Sequence, residues 1–307
     1  MINQPLVSIL MNCYNGEKYI REAIDSVIAQ TYTNWEIIFW DNASTDSSAE
    51  IAQSYDDKLK YFCVNETSEL YEARNYALEK CTGKYVAFLD CDDIWMENKL
   101  EVQLQYANKY PEAGLFYSNA VNVRNGKNGS VVFKSKNDCD VITFQHLLVR
   151  YDVSMCTLLV ARSLLNEYGG FDKRFTVTGD MELCVRLAHD HPVLRVSEVL
   201  AKIGIHDDCL TLRKMGLFSD EKLLLLEKMI YNYDGFLKEY TDESIFVVRN
   251  SMFKKAVVCW RDGNSVLARK LIVNSGLTIK NIVFFIMTFF PSKMYLKTSN
   301  VYRHLFR

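Results

Sequence analysis

The apolar positions change their spacing repeatedly along the first 110 residues of the chain. Uninterrupted apolar runs, typical of buried β-strands, alternate with apolar positions three or four residues apart, typical of amphipathic helices. The predicted strands span 6–11, 35–40, 59–64 and 85–89. The predicted helices span 20–28, 49–55, 71–81 and 97–110. This alternation predicts an α/β fold with a mostly parallel sheet flanked by helices.

The second half of the chain has a different pattern. Strand-like runs span 114–123, 154–161 and 193–205, a tight reversal at 125–129 leads into 130–133, and a helix is predicted at 179–188. Beyond about residue 216 all the apolar patterns are helical. We therefore expect one domain at 1–215, made of the halves 1–110 and 111–215, and a helical C-terminal appendage at 216–307.

Composition narrows the class of protein. A hydrophobic content of 49% is ample for a core, and a net charge of -2 gives no electrostatic case for binding nucleic acid. The nine cysteines lack paired C-x-x-C spacing, which favours reduced thiols in a cytoplasmic protein over a disulfide framework or a zinc site. We expect neither a signal peptide nor a membrane-spanning helix, because the N-terminus has no basic region and no apolar run reaches roughly 18–20 residues.

Polar residues that burial does not explain follow each of the first predicted strands. They are Asn12 and Asn15 after the first, Asp41 after the second, Asn65 and Glu66 after the third, and Asp90, Asp92 and Asp93 after the fourth. In a parallel sheet the strand ends meet at one edge, and ligands bind outside the carboxyl ends of the strands. The sequence therefore predicts a binding site at this edge.

The stretch at 85–93 is the most informative part of that edge, since a buried apolar run ends directly at carboxylates. Unpaired buried anions are costly, so a positive group is expected nearby. One interpretation is a divalent cation held by Asp90 and Asp92. The alternative is an acidic turn that caps the following helix.

Short motifs at these strand ends resemble a known family. They are VSILMNCYN at 7–15, DNASTD at 41–46, ARN at 73–75, FLDCDD at 88–93 and GDME at 179–182. In this order they resemble the family 2 glycosyltransferases of the GT-A fold, over roughly residues 5–212. The resemblance implies a nucleotide-sugar donor, a divalent metal and inversion at the anomeric carbon. It makes 1–110 the donor-binding half and 111–215 the half that holds the acceptor and performs catalysis.

The resemblance also implies a role for the acidic motif. Asp90 and Asp92 match its Asp-x-Asp motif, and a Mg²⁺ or Mn²⁺ ion between them and the donor diphosphate would remove the repulsion between the two anions. Such an ion would act as a Lewis acid for the departing nucleoside diphosphate. His206 matches a position near the diphosphate or metal, although a lone histidine is often structural.

The nucleotide contacts are implied in the same way. Asp41 matches the position that reads the base, and its alternative role is a helix cap. Arg74 is a cation facing the anionic donor, or else a charge on a helix surface. The remaining donor-binding positions are Asn12, Tyr14, Asn15 and the small residue Cys91.

The general base is expected in the second half. Inverting transfer needs a base that takes the proton of the acceptor hydroxyl, and Asp180 matches that position. The family usually has Glu-Asp there, whereas this chain has Gly179 before Asp180, so the partner that supports the base is not identified. Glu182 is the second candidate base, and simple helix capping is the alternative role of Asp180.

The acceptor and the location of the protein are expected from the same resemblance. We expect a UDP-sugar donor, with GDP or dTDP as alternatives, and a lipid-linked or surface-polysaccharide acceptor in polysaccharide biosynthesis of the cell envelope. The apolar segment 282–290 and the following Lys293, Lys297, Arg303, His304 and Arg307 predict peripheral contact with the inner face of the cytoplasmic membrane. A packed helix with a solvated tail is the alternative.

Two other functions stay open: a sugar-nucleotide-binding module without catalysis, and a metal-dependent phosphohydrolase.

Overall fold

A computed structural model describes residues 4–207, 209, 214–276 and 278–290 of the chain. The chain divides into two compact units, Met1–Cys209 and Leu210–Arg307. The strands are β1 Val7–Cys13, β2 Trp35–Asp41, β3 Leu59–Cys63, β4 Tyr85–Phe88, β5 Ile94–Trp95, β6 Leu115–Arg124, β7 Lys127–Val131, β8 Cys139–Ile142, β9 Leu159–Ala161 and β10 Val193–Gly204. The helices of the first unit are α1 Ile20–Ile28, α2 Ser48–Gln53, α3 Leu70–Leu78, α4 Lys99–Lys109, α5 Phe144–Val149, α6 Arg162–Glu167 and α7 Gly179–Asp190.

One ten-stranded sheet forms the centre of the first unit. The strand order is β3-β2-β1-β4-β9-β6-β10-β5, with β7 paired to β6 and β8 paired to β10. Strands β3, β2, β1 and β4 are parallel to one another. Strand β9 is antiparallel to both β4 and β6, whereas β6 and β10 are parallel to each other. The α/β class with a sheet flanked by helices is confirmed. The antiparallel pairings of β5, β7, β8 and β9 make the second half of the sheet mixed.

Helix α1 shows why the apolar spacing of the first half predicted its helices well. Its apolar residues Ile20, Ala23, Ile24 and Val27 are all fully buried against the sheet. Ile28, predicted on the same face, is 50% exposed because it is the last residue of the helix. The buried face therefore follows the helical period and fixes α1 on the sheet.

Short elements of the second half differ from the prediction. The segment 154–161, predicted as one strand, is a 3-10 turn at Met155–Thr157 followed by the three-residue strand β9. Helices α5 and α6 were not predicted, and each has six residues. Two turns of helix contain too few apolar positions for a period to be recognised.

The second unit is helical over the residues that the structure describes. A 3-10 turn at Met215–Leu217 precedes α8 Phe218–Asn232, α9 Phe236–Glu239, α10 Thr241–Arg261, α11 Ser265–Asn274 and α12 Ile279–Met287. Phe253, Trp260 and Phe284 lie in its core. Within the described ranges, none of the helices has the length and apolar character needed to cross a membrane.

Helix α12 also carries exposed apolar side chains. Phe284 is fully buried, whereas Ile282, Val283 and Ile286 are 47–56% exposed. Phe289 and Phe290, just beyond the helix, are exposed as well. The basic residues predicted to follow, from Lys293 onward, lie outside the described residues.

Candidate active site

The ends of β1, β2 and β4 lie side by side at one edge of the sheet. Strand β1 is paired with β2 on one side, where Cys13 is opposite Asp41, and with β4 on the other, where Leu10 is opposite Phe88. Side chains that follow these strands are therefore close to one another. This edge is where the sequence predicts a ligand site.

Asn15 connects the loops that follow β1 and β2. Its backbone is left-handed, with φ 52°, a conformation that asparagine tolerates better than most residues. The side-chain oxygen of Asn15 accepts a hydrogen bond from the backbone N–H of Thr45 at 2.8 Å, and its own N–H donates to Ser44 Oγ at 3.0 Å. Tyr14 is 59% exposed beside this junction. Asn15 thus orders the loop, and the ring of Tyr14 is accessible to a ligand.

Asp41 is buried at the end of β2 and has a protein donor on each carboxylate oxygen. Oδ1 accepts from the backbone N–H of Ser44 at 2.8 Å, and Oδ2 accepts from the Tyr61 hydroxyl at 2.7 Å. Burial and the Asp41 carboxylate raise the pKa of Tyr61, so this hydroxyl stays protonated and donates. Asp41 therefore orders the turn after β2. Each carboxylate oxygen still has a second lone pair for a ligand donor.

Asn12 has no hydrogen-bond partner for its side chain. Both Nδ2 and Oδ1 of its amide are buried and unpaired in the structure. A buried amide without partners is uncommon and indicates a water or ligand at that place. The neighbouring Cys91 thiol contacts the backbone oxygen of Asn12 at 3.1 Å, which ties the acidic motif to β1.

Arg74 forms an ion pair with the first carboxylate of the acidic motif. Its Nη2 lies 2.5 Å from Asp90 Oδ1, and the arginine is only 4% exposed. The guanidinium lies over the rings of Tyr71 and Phe171. Burial opposes the charge on Arg74, but Asp90, Tyr71 and Asp180 together outweigh this effect, and the pKa of Arg74 is raised. Asp90 is thus held by Arg74 rather than grouped with Asp92.

Asp92 lies instead with His206 and a cysteine that the sequence analysis did not single out. Asp92 Oδ2 is 2.9 Å from His206 Nε2 and 4.0 Å from the Cys209 sulfur. The ligand atoms of these three residues all lie within 4.8 Å of one another. Burial and the charge of Asp90 raise the pKa of Asp92. A cation at this place would offset both effects, so the residues present fit a divalent metal.

Asp93 has a structural position behind this group. Its side chain is buried, and Oδ1 accepts a hydrogen bond from the backbone N–H of Gly204 at 2.9 Å. Burial, together with Asp92 and Asp90, raises the pKa of Asp93 well above its ordinary value. Asp93 therefore connects the acidic motif to the end of β10, the strand that leads to His206.

Asp180 is held in the first turn of α7 by two tyrosines. The Tyr71 hydroxyl donates to Asp180 Oδ1 at 3.1 Å, and the Tyr151 hydroxyl donates to Oδ2 at 3.2 Å. Burial and the Asp180 charge raise the pKa of both tyrosines well above the ordinary value, so both remain donors. Burial also raises the pKa of Asp180, against the opposing effect of the nearby Arg74.

Gly179 is explained by the same tyrosine. A Cβ atom at position 179 would lie 2.7 Å from ring atoms of Tyr71, closer than real Cβ contacts allow. The ring of Tyr71 therefore occupies the space that a side chain at position 179 would need. The tyrosine supplies a hydrogen-bond donor to the carboxylate from that space.

Glu182 is committed to a different role. Its side chain is completely buried and contacts Arg186 at 2.7 Å. Arg186 also donates to the backbone oxygens of Tyr168 and Gly170. This buried ion pair attaches α7 to the turn after α6. Its position disfavours Glu182 as a base that meets an acceptor.

Sequence reasoning missed three residues of this edge, namely Tyr71, Tyr151 and Cys209. Cys209 was detectable from its spacing, since His206 and Cys209 are three residues apart and follow a predicted strand. The tyrosines gave no such signal. They come from α3 and from the loop after α5, and they meet Asp180 only through the fold.

Comparisons with known proteins agree with this architecture. The family model described as "Glycosyl transferase family 2" matches residues 8–169. An uncharacterized glycosyltransferase of Rickettsia typhi is 32% identical over 255 residues, which is 80% of this chain and 76% of the relative. The Escherichia coli UDP-Glc:alpha-D-GlcNAc-diphosphoundecaprenol beta-1,3-glucosyltransferase WfgD is 34% identical over 164 residues, 53% of this chain and 63% of the relative.

Solved structures show a similar fold. The mannosyltransferase PcManGT of Pyrobaculum calidifontis, in complex with GDP-Man and Mn²⁺, aligns with a TM-score of 0.63 at 16% identity, over 94% of this chain and 85% of that one. Staphylococcus aureus TarS 1-349 with UDP-GlcNAc aligns with a TM-score of 0.59 at 18% identity, over 88% of each chain. The fold and the edge of the sheet define a glycosyltransferase of the GT-A class. The family model covers more than half of the chain, and the chain therefore belongs to glycosyl transferase family 2.

Proposed function

We propose that this protein is an inverting glycosyltransferase that moves a sugar from a nucleoside diphosphate sugar, with UDP favoured, to a lipid-linked or surface-polysaccharide acceptor. The observation that carries the proposal is the buried chain of contacts from Asp180 through Tyr71 to Arg74 and Asp90. It joins a carboxylate suited to act as a base to the polar edge suited to hold the donor. The name of WfgD includes a nucleotide sugar, and TarS and PcManGT were solved in complex with nucleotide sugars. Both facts agree with the proposed class of donor.

The donor would bind at the carboxyl edge of the first four strands. The free lone pairs of Asp41 suit the N–H group of a uracil, and the exposed ring of Tyr14 suits stacking on the base. The unpaired amide of Asn12 offers a donor and an acceptor to the nucleotide. The Arg74–Asp90 pair provides both a cation and a hydrogen-bond acceptor next to the diphosphate and sugar.

A divalent metal would be held by Asp92 and His206 beside this donor. Burial and the charge of Asp90 both disfavour the ionised form of Asp92, and these are the features that fit a cation. When bound, Mn²⁺ or Mg²⁺ would stabilise the negative charge that develops on the departing diphosphate. PcManGT was solved with Mn²⁺, which agrees with this assignment.

Asp180 would act as the general base. The acceptor hydroxyl gives its proton to the Asp180 carboxylate while its oxygen forms a bond to the anomeric carbon. The bond from that carbon to the diphosphate oxygen breaks on the opposite face, so the configuration inverts. Tyr71 and Tyr151 fix the carboxylate, and its raised pKa brings it nearer to the pKa that suits proton transfer at neutral pH.

The C-terminal unit would bring the protein to the inner face of the cytoplasmic membrane. Exposed Val283 and Ile286 on α12 provide an apolar surface, and residues 291–307 contain four lysines or arginines and no acidic residue. This combination suits an anionic lipid surface. A lipid-linked acceptor, such as the one in the name of WfgD, would be found there.

A thermal-shift screen tests the donor class. UDP, GDP and dTDP are each added with Mn²⁺ or with EDTA, and the melting temperature is measured. Because a ligand that binds only the folded state raises its stability, we expect the largest shift with UDP and Mn²⁺. No shift with any nucleotide under either condition would contradict the proposal.

A further inference from the structure

We infer that Cys209 is a third protein ligand of the metal at the donor edge, and that its sulfur makes this site favour Mn²⁺ and softer divalent ions over Mg²⁺. The inference rests on the proposed metal-assisted function. It assigns a role to a residue that neither the family motifs nor the comparisons single out. It also makes a claim about metal preference that the proposed function does not make.

The position of the sulfur is the first observation. Sγ of Cys209 lies 4.0 Å from Asp92 Oδ2, and the ligand atoms of Asp92, His206 and Cys209 lie within 4.8 Å of one another. Carboxylate, imidazole and thiolate are three different protein ligands, and one ion can bind all three at such separations. Among the described residues, this is the group found with metal-binding geometry.

A short turn points the sulfur back toward the acidic motif. The backbone N–H of Cys209 donates to the oxygen of His206 at 3.2 Å, and the N–H of His206 donates to the Cys209 sulfur at 3.4 Å. These two hydrogen bonds close the turn and hold the Cys209 sulfur on the side of the acidic motif.

The surroundings of the turn hold it close to Asp92. A Cβ atom on Gly204 would lie 2.2 Å from the backbone oxygen of Asp92, so only glycine lets the end of β10 approach the motif this closely. The His206 ring stacks on Tyr19 with centroids 4.8 Å apart. Its Nδ1 is buried without a hydrogen-bond partner. This nitrogen is on the same ring whose Nε2 lies 2.9 Å from Asp92 Oδ2, and a buried ring nitrogen without a partner is a second sign that a water or ligand belongs at this histidine.

A sulfur ligand determines which divalent metal ion the site prefers. Mg²⁺ takes hard oxygen ligands and binds thiolates poorly, whereas Mn²⁺ tolerates a mixed set and Co²⁺ binds sulfur well. Metal binding would release the thiol proton to the buffer, so the cysteine adds a negative charge to the site. A serine in its place would remove that charge and leave a weak, hard ligand. The ratio of Mn²⁺ to Mg²⁺ affinity should therefore fall.

Cobalt provides a direct test of the sulfur ligand. The full-length protein is titrated with Co²⁺ in the presence of UDP, with UDP and Co²⁺ alone as the blank, and the near-ultraviolet thiolate-to-cobalt absorption is recorded. We expect this band in the unmodified protein and in the control Cys63→Ser, since Cys63 is an exposed residue of β3 outside the group. The band should be absent in Cys209→Ser. Cobalt that binds the unmodified protein without the band would overturn the inference while the proposed function survives.

Metal affinities and cysteine alkylation test the same ligand in two further ways. Calorimetry with Mn²⁺ and Mg²⁺ should give an affinity ratio at least about tenfold lower in Cys209→Ser than in the control, and an equal ratio would reject the inference. If Cys209→Ser melts early, alkylation of the unmodified protein replaces it. Mn²⁺ should then slow the reaction of iodoacetamide at Cys209 and leave the reaction at Cys63 unchanged, as followed by mass spectrometry. No binding of any metal to the unmodified protein would instead contradict the metal in the proposed function.

Discussion

The role of Asp180 can be tested by a substitution that keeps its size and removes its charge. Asp180→Asn preserves one carbonyl oxygen for Tyr71 or Tyr151, but the side chain can no longer accept a proton from the acceptor. General base catalysis typically contributes about 10²–10⁴-fold to a rate, which corresponds to about 3–5 kcal/mol of transition-state stabilisation. We therefore expect kcat to fall by about that factor.

Donor binding should hardly change in this variant. Asp180 lies in the first turn of α7, and its direct partners are two tyrosines rather than the residues at the ends of β1 and β2. We expect the affinity for the nucleotide sugar, measured by calorimetry, to change by less than roughly threefold, because only a transition-state interaction is lost. Tyr151→Phe is the matched control. It removes one donor to Asp180 and leaves the base in place, so its rate should fall by much less.

The pH dependence gives the same test a second readout. Burial raises the pKa of Asp180 above the ordinary value, and a base must be ionised. The rate of the unmodified enzyme should therefore fall as the pH is lowered through this raised pKa, at a higher pH than for an ordinary aspartate. The residual activity of Asp180→Asn should lack this limb of the profile.

Asp180→Asn should lower the rate but should not lower the stability of the fold. A carboxyl group with a raised pKa in the folded state favours folding when protonated, so the ionised form costs stability at neutral pH. Asp180→Asn should accordingly melt no earlier than the unmodified protein at pH 7, and the difference should shrink as the pH falls. Near-full activity of Asp180→Asn, or a loss of donor affinity as large as the loss of rate, would refute the assignment of the base.

Three other predictions follow from the structure. Asp92→Asn should weaken UDP binding and make it insensitive to Mn²⁺, and calorimetry with and without EDTA measures this; equal UDP affinity of the unmodified protein in both conditions would remove the metal. Glu182→Gln leaves the buried Arg186 without its charged partner, so the melting temperature should fall, consistent with a cost of about 3–5 kcal/mol for breaking such a pair. Val283→Asp combined with Ile286→Asp should abolish cosedimentation with anionic vesicles, since both side chains are exposed. If the unmodified protein does not cosediment with such vesicles, the proposed membrane contact is excluded.

The first half of the fold followed from the sequence because its signals are local. Strand β1 is an apolar run buried on both faces, and the buried face of α1 repeats with the period of a helix. Parallel strands bring their ends to one edge. That geometry alone predicts that Asn12, Asp41 and Asp90 meet. The second half did not follow as well, because β9 and the helices α5 and α6 are too short to show a period.

The details of the site depend on contacts between distant segments. Tyr71 reaches Asp180 across 109 positions of sequence, and the space for its ring exists because residue 179 is glycine. The pairing of Asp90 with Arg74 likewise depends on how α3 packs beside the acidic motif. The sequence motifs identify residues such as Asp90 and Asp180, but they do not predict which distant side chains contact them.

The stereochemistry of the product tests the central claim most directly. The protein is incubated with Mn²⁺, an α-linked UDP-sugar and a polyprenyl-diphosphate-linked N-acetylglucosamine acceptor, and the anomeric configuration of the new bond is determined by NMR. We predict a product larger by one sugar with a β linkage, formed at a rate that Asp180→Asn lowers by about 10²–10⁴-fold. An α-linked product, or release of inorganic phosphate from phosphoesters without sugar transfer, would contradict the account.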